Sequence, residues 1–146
     1  MRAGKEKSPM SEITPVARFF DAYQENIAER NIDAMVAQFA ETYLYGGPNG
    51  FQFLRSADLA AGLPRRRELL NSLGCGPSRL ASLTETALDS RFVLARVLWE
   101  FAVEQAEESV AIESTFLLDT VAPVRILVYL SHQDLVAMLK ERQQVS

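Results

Sequence analysis

Histidine, cysteine and tryptophan each occur once in this 146-residue sequence, as His132, Cys75 and Trp99. One cysteine excludes an internal disulfide, so the chain needs no oxidising compartment. One histidine and one cysteine form no cluster with metal-ligand spacing, and neither a metal nor another cofactor is expected. No stretch approaches the roughly 20 apolar residues that a membrane-spanning helix needs. Met1 to Glu12 carries Arg2, Lys5 and Lys7 with no apolar run behind them, so no signal peptide is read there. Basic charge is also short: 15 Lys and Arg stand against 19 Asp and Glu, a net charge of −4. A nucleic-acid binder needs the opposite balance. The expectation is a soluble, cytoplasmic protein with no nucleic-acid and no membrane partner.

What is present is ordinary globular composition, 48% hydrophobic and 23% charged. The length suits one domain with a sizeable core. Residues 1–13 are expected to be a disordered tail and 14–146 a single domain. The chain is organised around Arg91 to Phe101, which is β-branched, aromatic and free of Gly and Pro. Val93, Ala95, Val97, Trp99 and Phe101 alternate onto one unbroken apolar face. Phe92, Leu94, Arg96, Leu98 and Glu100 make the other face mixed. Such a strand must be covered on both sides, by helices of this chain and by a second copy of it.

Before that strand the apolar period is helical. Thr14-Pro15 reads as a helix start, with Val16, Phe19, Phe20, Tyr23 and Ile27 on one face. Asn31 caps a second short helix through Phe39. Tyr43-Leu44-Tyr45 and Phe51-Gln52-Phe53-Leu54 read as short strands around the Gly46–Gly50 loop. Ser56 caps a third helical region to about Leu73, with a break expected near Gly62-Leu63-Pro64. After Pro77 the period becomes two. Strands are expected at Arg79–Leu88, Arg91–Phe101, Ser109–Asp119 and Val124–Leu130, with an acidic loop at Glu104–Glu108. A C-terminal helix is expected to begin at Ser131. The registers place Val97, Trp99, Ile112, Phe116, Ile126 and Val128 on a core face. They place Arg96, Glu100, Glu113, Arg125 and Tyr129 on the opposite one. Helices followed by long antiparallel strands give an α+β class, a curved sheet wrapped as a cone around N-terminal helices.

That order of elements resembles the nuclear-transport-factor-two-like superfamily, also called the SnoaL-like group or cystatin-like α+β barrel. The likeness is carried by Phe19-Phe20-Asp21-Ala22-Tyr23, by Ala87 to Phe101, by Ser114-Thr115-Phe116-Leu117-Leu118, and by Val124 to His132, and it spans Thr14 to His132. These are hydrophobic patterns and not catalytic signatures. The resemblance implies a homodimer through the outer sheet face and a small-molecule pocket inside the cone. The superfamily includes isomerases, dehydratases, an epoxide hydrolase, cyclases and non-catalytic binding or association domains, and fold does not choose among them.

The expected pocket lining is Tyr23, Tyr43, Trp99, Ser114, Phe116 and Val128. His132, the one histidine, shares parity with Ile126, Val128 and Leu130 and is the candidate general base. Its alternative is a structural histidine at a helix start. Asp134 is read as a helix cap in Ser131-His132-Gln133-Asp134 and not as a partner of His132. Asp21 turns to water on the first helix. Arg96 and Glu100 are expected in cross-strand ion pairs with Glu113 or Arg125. Arg65-Arg66-Arg67 is read as a solvated helix face, and Cys75 as an inert loop thiol. Whether the chain is an enzyme stays open. One reading is cofactor-free isomerase, dehydratase or cyclase chemistry on a small hydrophobic ligand; the other is a non-catalytic ligand-binding or dimerisation module.

Overall fold

Thr14 and Pro15 begin the first helix as their chemistry dictates. In the computed structural model, which describes residues 13–104 and 109–145, helix α1 spans Pro15–Glu29. The Thr14 hydroxyl accepts from the Ala17 amide at 3.0 Å, and proline supplies the first helical φ. Helix α2, Ile32–Ala37, starts where the Asn31 side chain accepts from the Ala34 amide. Strands β1 (Phe39–Gly47) and β2 (Gly50–Arg55) form a hairpin with Pro48 and Asn49 at its tip, and Gly50 supplies the positive φ the turn requires. A 3-10 turn, Ser56–Asp58, leads into α3, Leu59–Ser72. Strands β3 (Cys75–Ala87), β4 (Phe92–Val103), β5 (Val110–Asp119) and β6 (Arg125–Ser131) follow, then helix α4, Leu135–Val145. Expectations for residues 1–12 and 105–108 fall outside the described residues.

The strands form one curved, unclosed six-stranded sheet in the order β2-β1-β6-β5-β4-β3, antiparallel except where β1 meets β6. The fold class is α+β, as expected. The apolar face of α1 lies against the inner face of this sheet. Phe20, fully buried, contacts the rings of Trp99, Tyr23 and Phe116. Val16, Phe19 and Tyr23 join Ala95, Val97, Leu118 and Ile126 in the same cluster. A second cluster joins Cys75, Val110 and Ile112 to Leu135 and Leu139 of α4. Each large side chain so buried contributes about 1.5–3 kcal/mol of hydrophobic stabilisation. Among the described residues, no helix is long and apolar enough to cross a membrane.

Several expected boundaries shift. β1 is nine residues long and starts at Phe39, so Gly46 and Gly47 lie in the strand. α3 runs through Pro64 without the expected break. Ser56 does not cap it through its hydroxyl; its carbonyl accepts from the Leu59 amide instead. Gly74, at φ 79°, ends that region, and β3 starts at once with Cys75, four residues before expectation. The C-terminal helix starts at Leu135 and not at Ser131. Asp134 caps it, accepting from the Ala137 amide at 3.0 Å.

The most consequential departure is one residue in β6. Leu118 pairs with Ile126, yet Leu117 pairs with Val128, so Leu127 has no counterpart on β5. This β-bulge reverses the alternation beyond it. Ile126 faces the core as expected, but Tyr129 and Ser131 now point inward while Val128, Leu130 and His132 point outward.

Candidate functional site: an aromatic cavity under helix α3

Helices α1 and α3 lie over the inner face of the sheet. Between helices and sheet lies a cavity of about 730 Å³, within the range typical of small-molecule sites. Its walls are aromatic and aliphatic: Phe39 from β1, Trp99 and Phe101 from β4, Ile112 from β5, and Leu63 and Leu70 from α3. α3 is the outer wall and has no fully buried residue. Its side toward the cavity carries Leu59, Leu63, Arg66 and Leu70, three or four residues apart, which is one helical face.

Polar groups enter as hydroxyl tips. Tyr23 from α1, Tyr43 from β1 and Tyr129 from β6 all line the space. Burial pushes the Tyr23 phenol well above its ordinary value, helped by the neighbouring Tyr129 and Tyr43. Burial raises Tyr43 to about 12. Tyr129 is raised by burial and drawn back by the Arg66 charge and by hydroxyl contacts with Ser114 and Tyr23. These phenols are therefore neutral at pH 7, and the Tyr23 and Tyr129 hydroxyls are neighbours in the cavity wall. The Ser114 hydroxyl is fully buried; the Tyr129 hydroxyl is its polar neighbour, but no partner meets it in standard hydrogen-bond geometry. Cys75 lines the cavity at the start of β3, its thiol pushed up by burial, which suits an unreactive thiol.

Of the residues expected in the pocket, Tyr23, Tyr43 and Trp99 line it. Ser114 and Phe116 are on the same inner face but fully buried, outside the lining. Val128 is corrected to the outer face by the bulge. His132 is corrected likewise. Its Nε2 lies 2.8 Å from the Thr115 hydroxyl and its Nδ1 3.7 Å from the Glu113 carboxylate, both on the outer face, and it does not line the cavity. Arg96 pairs with Glu113 on that outer face, as expected, whereas Glu100 pairs across to Arg79 of β3 and not with Arg125. Arg91 forms a two-point pair with Asp119, at 2.9 and 2.8 Å, which together with the Val121 amide holds the Asp119 carboxyl below its usual range.

The sequence reading missed Tyr129 and Arg66 as lining residues. Tyr129 was hidden by the bulge, which no residue pattern announces. Arg66 was legible in principle, because Leu59, Leu63 and Leu70 share its helical face. Among the described residues, no group of His, Cys, Asp and Glu is arranged to hold a metal ion.

No protein-family model matches this sequence, and no curated protein does. Solved structures do match. An NTF2-like protein of unknown function from Shewanella oneidensis superposes with a TM-score of 0.65 at 12% identity, covering 82% of this chain and 97% of that one. An NTF2-like protein with a cystatin-like fold from Novosphingobium aromaticivorans gives 0.62 at 18% identity, covering 86% of each chain. The beta subunit of a benzoate 1,2-dioxygenase from Burkholderia mallei gives 0.63 at 12% identity, covering 88% of this chain and 96% of that one. At these identities the likeness establishes the fold: this chain has the NTF2-like, cystatin-like fold that its strand pattern resembles.

Proposed function

We propose that this chain is a cytoplasmic binding protein for a small, mainly apolar ligand, and that two copies associate through the outer face of the sheet. The observation that carries the binding reading is the cavity itself, about 730 Å³ with an aromatic wall and neutral hydroxyl donors. Such a site offers apolar contact for affinity and a few placed donors for orientation. It is poor in proton acceptors. His132 is on the far side of the sheet, and among the described residues the one carboxylate bordering the space, Glu68, is on exposed α3. A general base must come within hydrogen-bond reach of the proton it removes.

The isomerase, dehydratase or cyclase reading keeps one supporting observation. Tyr23 and Tyr129 bring two neighbouring neutral hydroxyls into a desolvated site, and such donors polarise a ligand carbonyl when both are aimed at its oxygen. Without a base beside them, polarisation serves recognition better than turnover.

Dimerisation rests on the outer face. Phe53, Leu44, Val128, Leu117 and Leu94 stand side by side across five strands. Phe51 and Phe53 are 74% and 71% exposed at its edge. Apolar rows of this size are covered in most soluble proteins.

The binding reading is tested by titrating the folded chain with the neutral dye N-phenyl-1-naphthylamine. A saturable rise in dye fluorescence at one dye per chain is the expected result. A rise that never saturates, or none, overturns the reading.

A further inference from the structure

The charge at the cavity runs against that of the chain. The net charge is −4, yet Arg30, Arg66 and Arg67 border the cavity against a single carboxylate among the described residues, Glu68. The three arginines are not equivalent. Arg67 Nη1 donates to the Ile27 carbonyl at 2.9 Å, satisfying one of the last acceptors of α1. Arg30 is the left-handed residue that terminates α1. Arg66 interrupts the cavity-facing stripe of α3. Leu59 and Leu63 on one side of it pack on the larger core cluster, and Leu70 on the other side packs on the smaller. Among the described residues, Arg66 has no hydrogen-bond or ion-pair partner. It borders both the main cavity and a shallower hollow next to it, lined by Asn49, Ser131 and Asp134. Its charge is felt inside, since it draws the Tyr23, Tyr129 and Cys75 pKa values down against the upward pull of burial.

An unpaired guanidinium at the border of an aromatic cavity matches one carboxylate, whose two oxygens fit its planar donors. We propose that the ligand is an amphipathic monocarboxylate: its apolar body lies against Phe39 and Trp99, and its carboxylate is held by Arg66 at the mouth. The Tyr23 and Tyr129 hydroxyls then serve a second, neutral polar group deeper in. Glu68, two residues along α3, and Asp134 in the adjoining hollow set the limit at one negative charge, because a polyanion placed on Arg66 would meet both. This inference rests on the binding reading above and narrows its ligand class.

The test compares 2-naphthoate with 2-naphthalenemethanol, which share a ring system and differ in charge at pH 7. Both are titrated calorimetrically into the full wild-type chain and into Arg66→Gln. Arg66 is exposed on α3, so the variant is expected to keep the wild-type melting temperature. A charge-assisted hydrogen bond in a partly solvated site corresponds to about a tenfold preference for the carboxylate. The expected result is that preference in the wild type and its loss in Arg66→Gln, with binding of the alcohol unchanged within about twofold. Equal or tighter binding of the alcohol by the wild type overturns the carboxylate assignment and leaves the cavity reading standing. A preference that persists in Arg66→Gln overturns the role of Arg66. If neither compound binds, the cavity reading falls and this inference falls with it.

Discussion

Phe116 and Tyr129 face each other across β5 and β6, their ring centroids 4.6 Å apart and their planes 31° from parallel. This contact is on the inner side of the sheet, because Phe116 is fully buried and also touches Phe20 of α1. Tyr129 can reach it only because Leu127 is bulged out of the pairing. The same bulge sends His132 outward to Thr115.

Tyr129 and His132 should therefore differ sharply when truncated. Tyr129→Ala removes an interior ring and should cost about 3 kcal/mol. His132→Ala removes a half-exposed side chain from an outer-face contact and should cost under about 1 kcal/mol. Guanidinium unfolding midpoints measure both. If His132→Ala proves the costlier change, the strand beyond Leu127 has the opposite alternation.

The buried phenols should be visible in alkali. Tyr43 is raised to about 12, and Tyr23 and Tyr129 are shifted in the same direction, chiefly by burial. The unfolded chain ionises its phenols near pH 10. Above that value the folded state keeps protons that the unfolded state has lost. The stabilisation is fully present below about pH 10 and is lost as pH rises through the folded values. The melting temperature should fall across this window. Phenolate absorbance at about pH 11 should be lower in the native chain than in the same chain unfolded by guanidinium. Equal absorbance would place these three tyrosines in water.

Association through the outer face should depend on the row of apolar side chains there. The wild-type chain is expected to scatter light as a particle of twice the chain mass. Leu117→Arg, within the row between Val128 and Leu94, should reduce that to one chain mass while keeping the melting transition cooperative. A wild-type monomer at micromolar concentration would contradict the proposed interface.

Much of the fold was readable because it rests on long, regular signals. Thr14-Pro15 gave the start of α1, Phe19, Phe20 and Tyr23 its buried face, and Val97, Trp99, Ile112 and Phe116 the inner parity of β4 and β5. These positions precede any irregularity on their strands that would reverse their facing. The site was readable only up to the bulge. Parity carried from Ile126 to Val128 and His132 assumes a flat ladder, and one unpaired residue at Leu127 inverts everything after it. The continuous α3 was missed for a different reason. Gly62 and Pro64 are strong local breakers, but the covering role of α3 keeps Leu59, Leu63 and Leu70 on one face through them. Arg66 then went unnoticed because a triple-arginine run reads as solvent-facing until the apolar stripe around it is traced.

The central claim, that the cavity under α3 takes a small apolar ligand, has an internal reporter. Trp99 is the one tryptophan of the chain, only 4% exposed, and part of the cavity wall. Its indole N–H should give a single resolved NMR cross-peak. On titration with 2-naphthalenemethanol that cross-peak should shift and saturate, with nuclear Overhauser contacts from the ligand ring to the rings of Trp99 and Tyr23. A cross-peak that stays in place while the ligand reaches millimolar concentration over a folded chain would contradict the account.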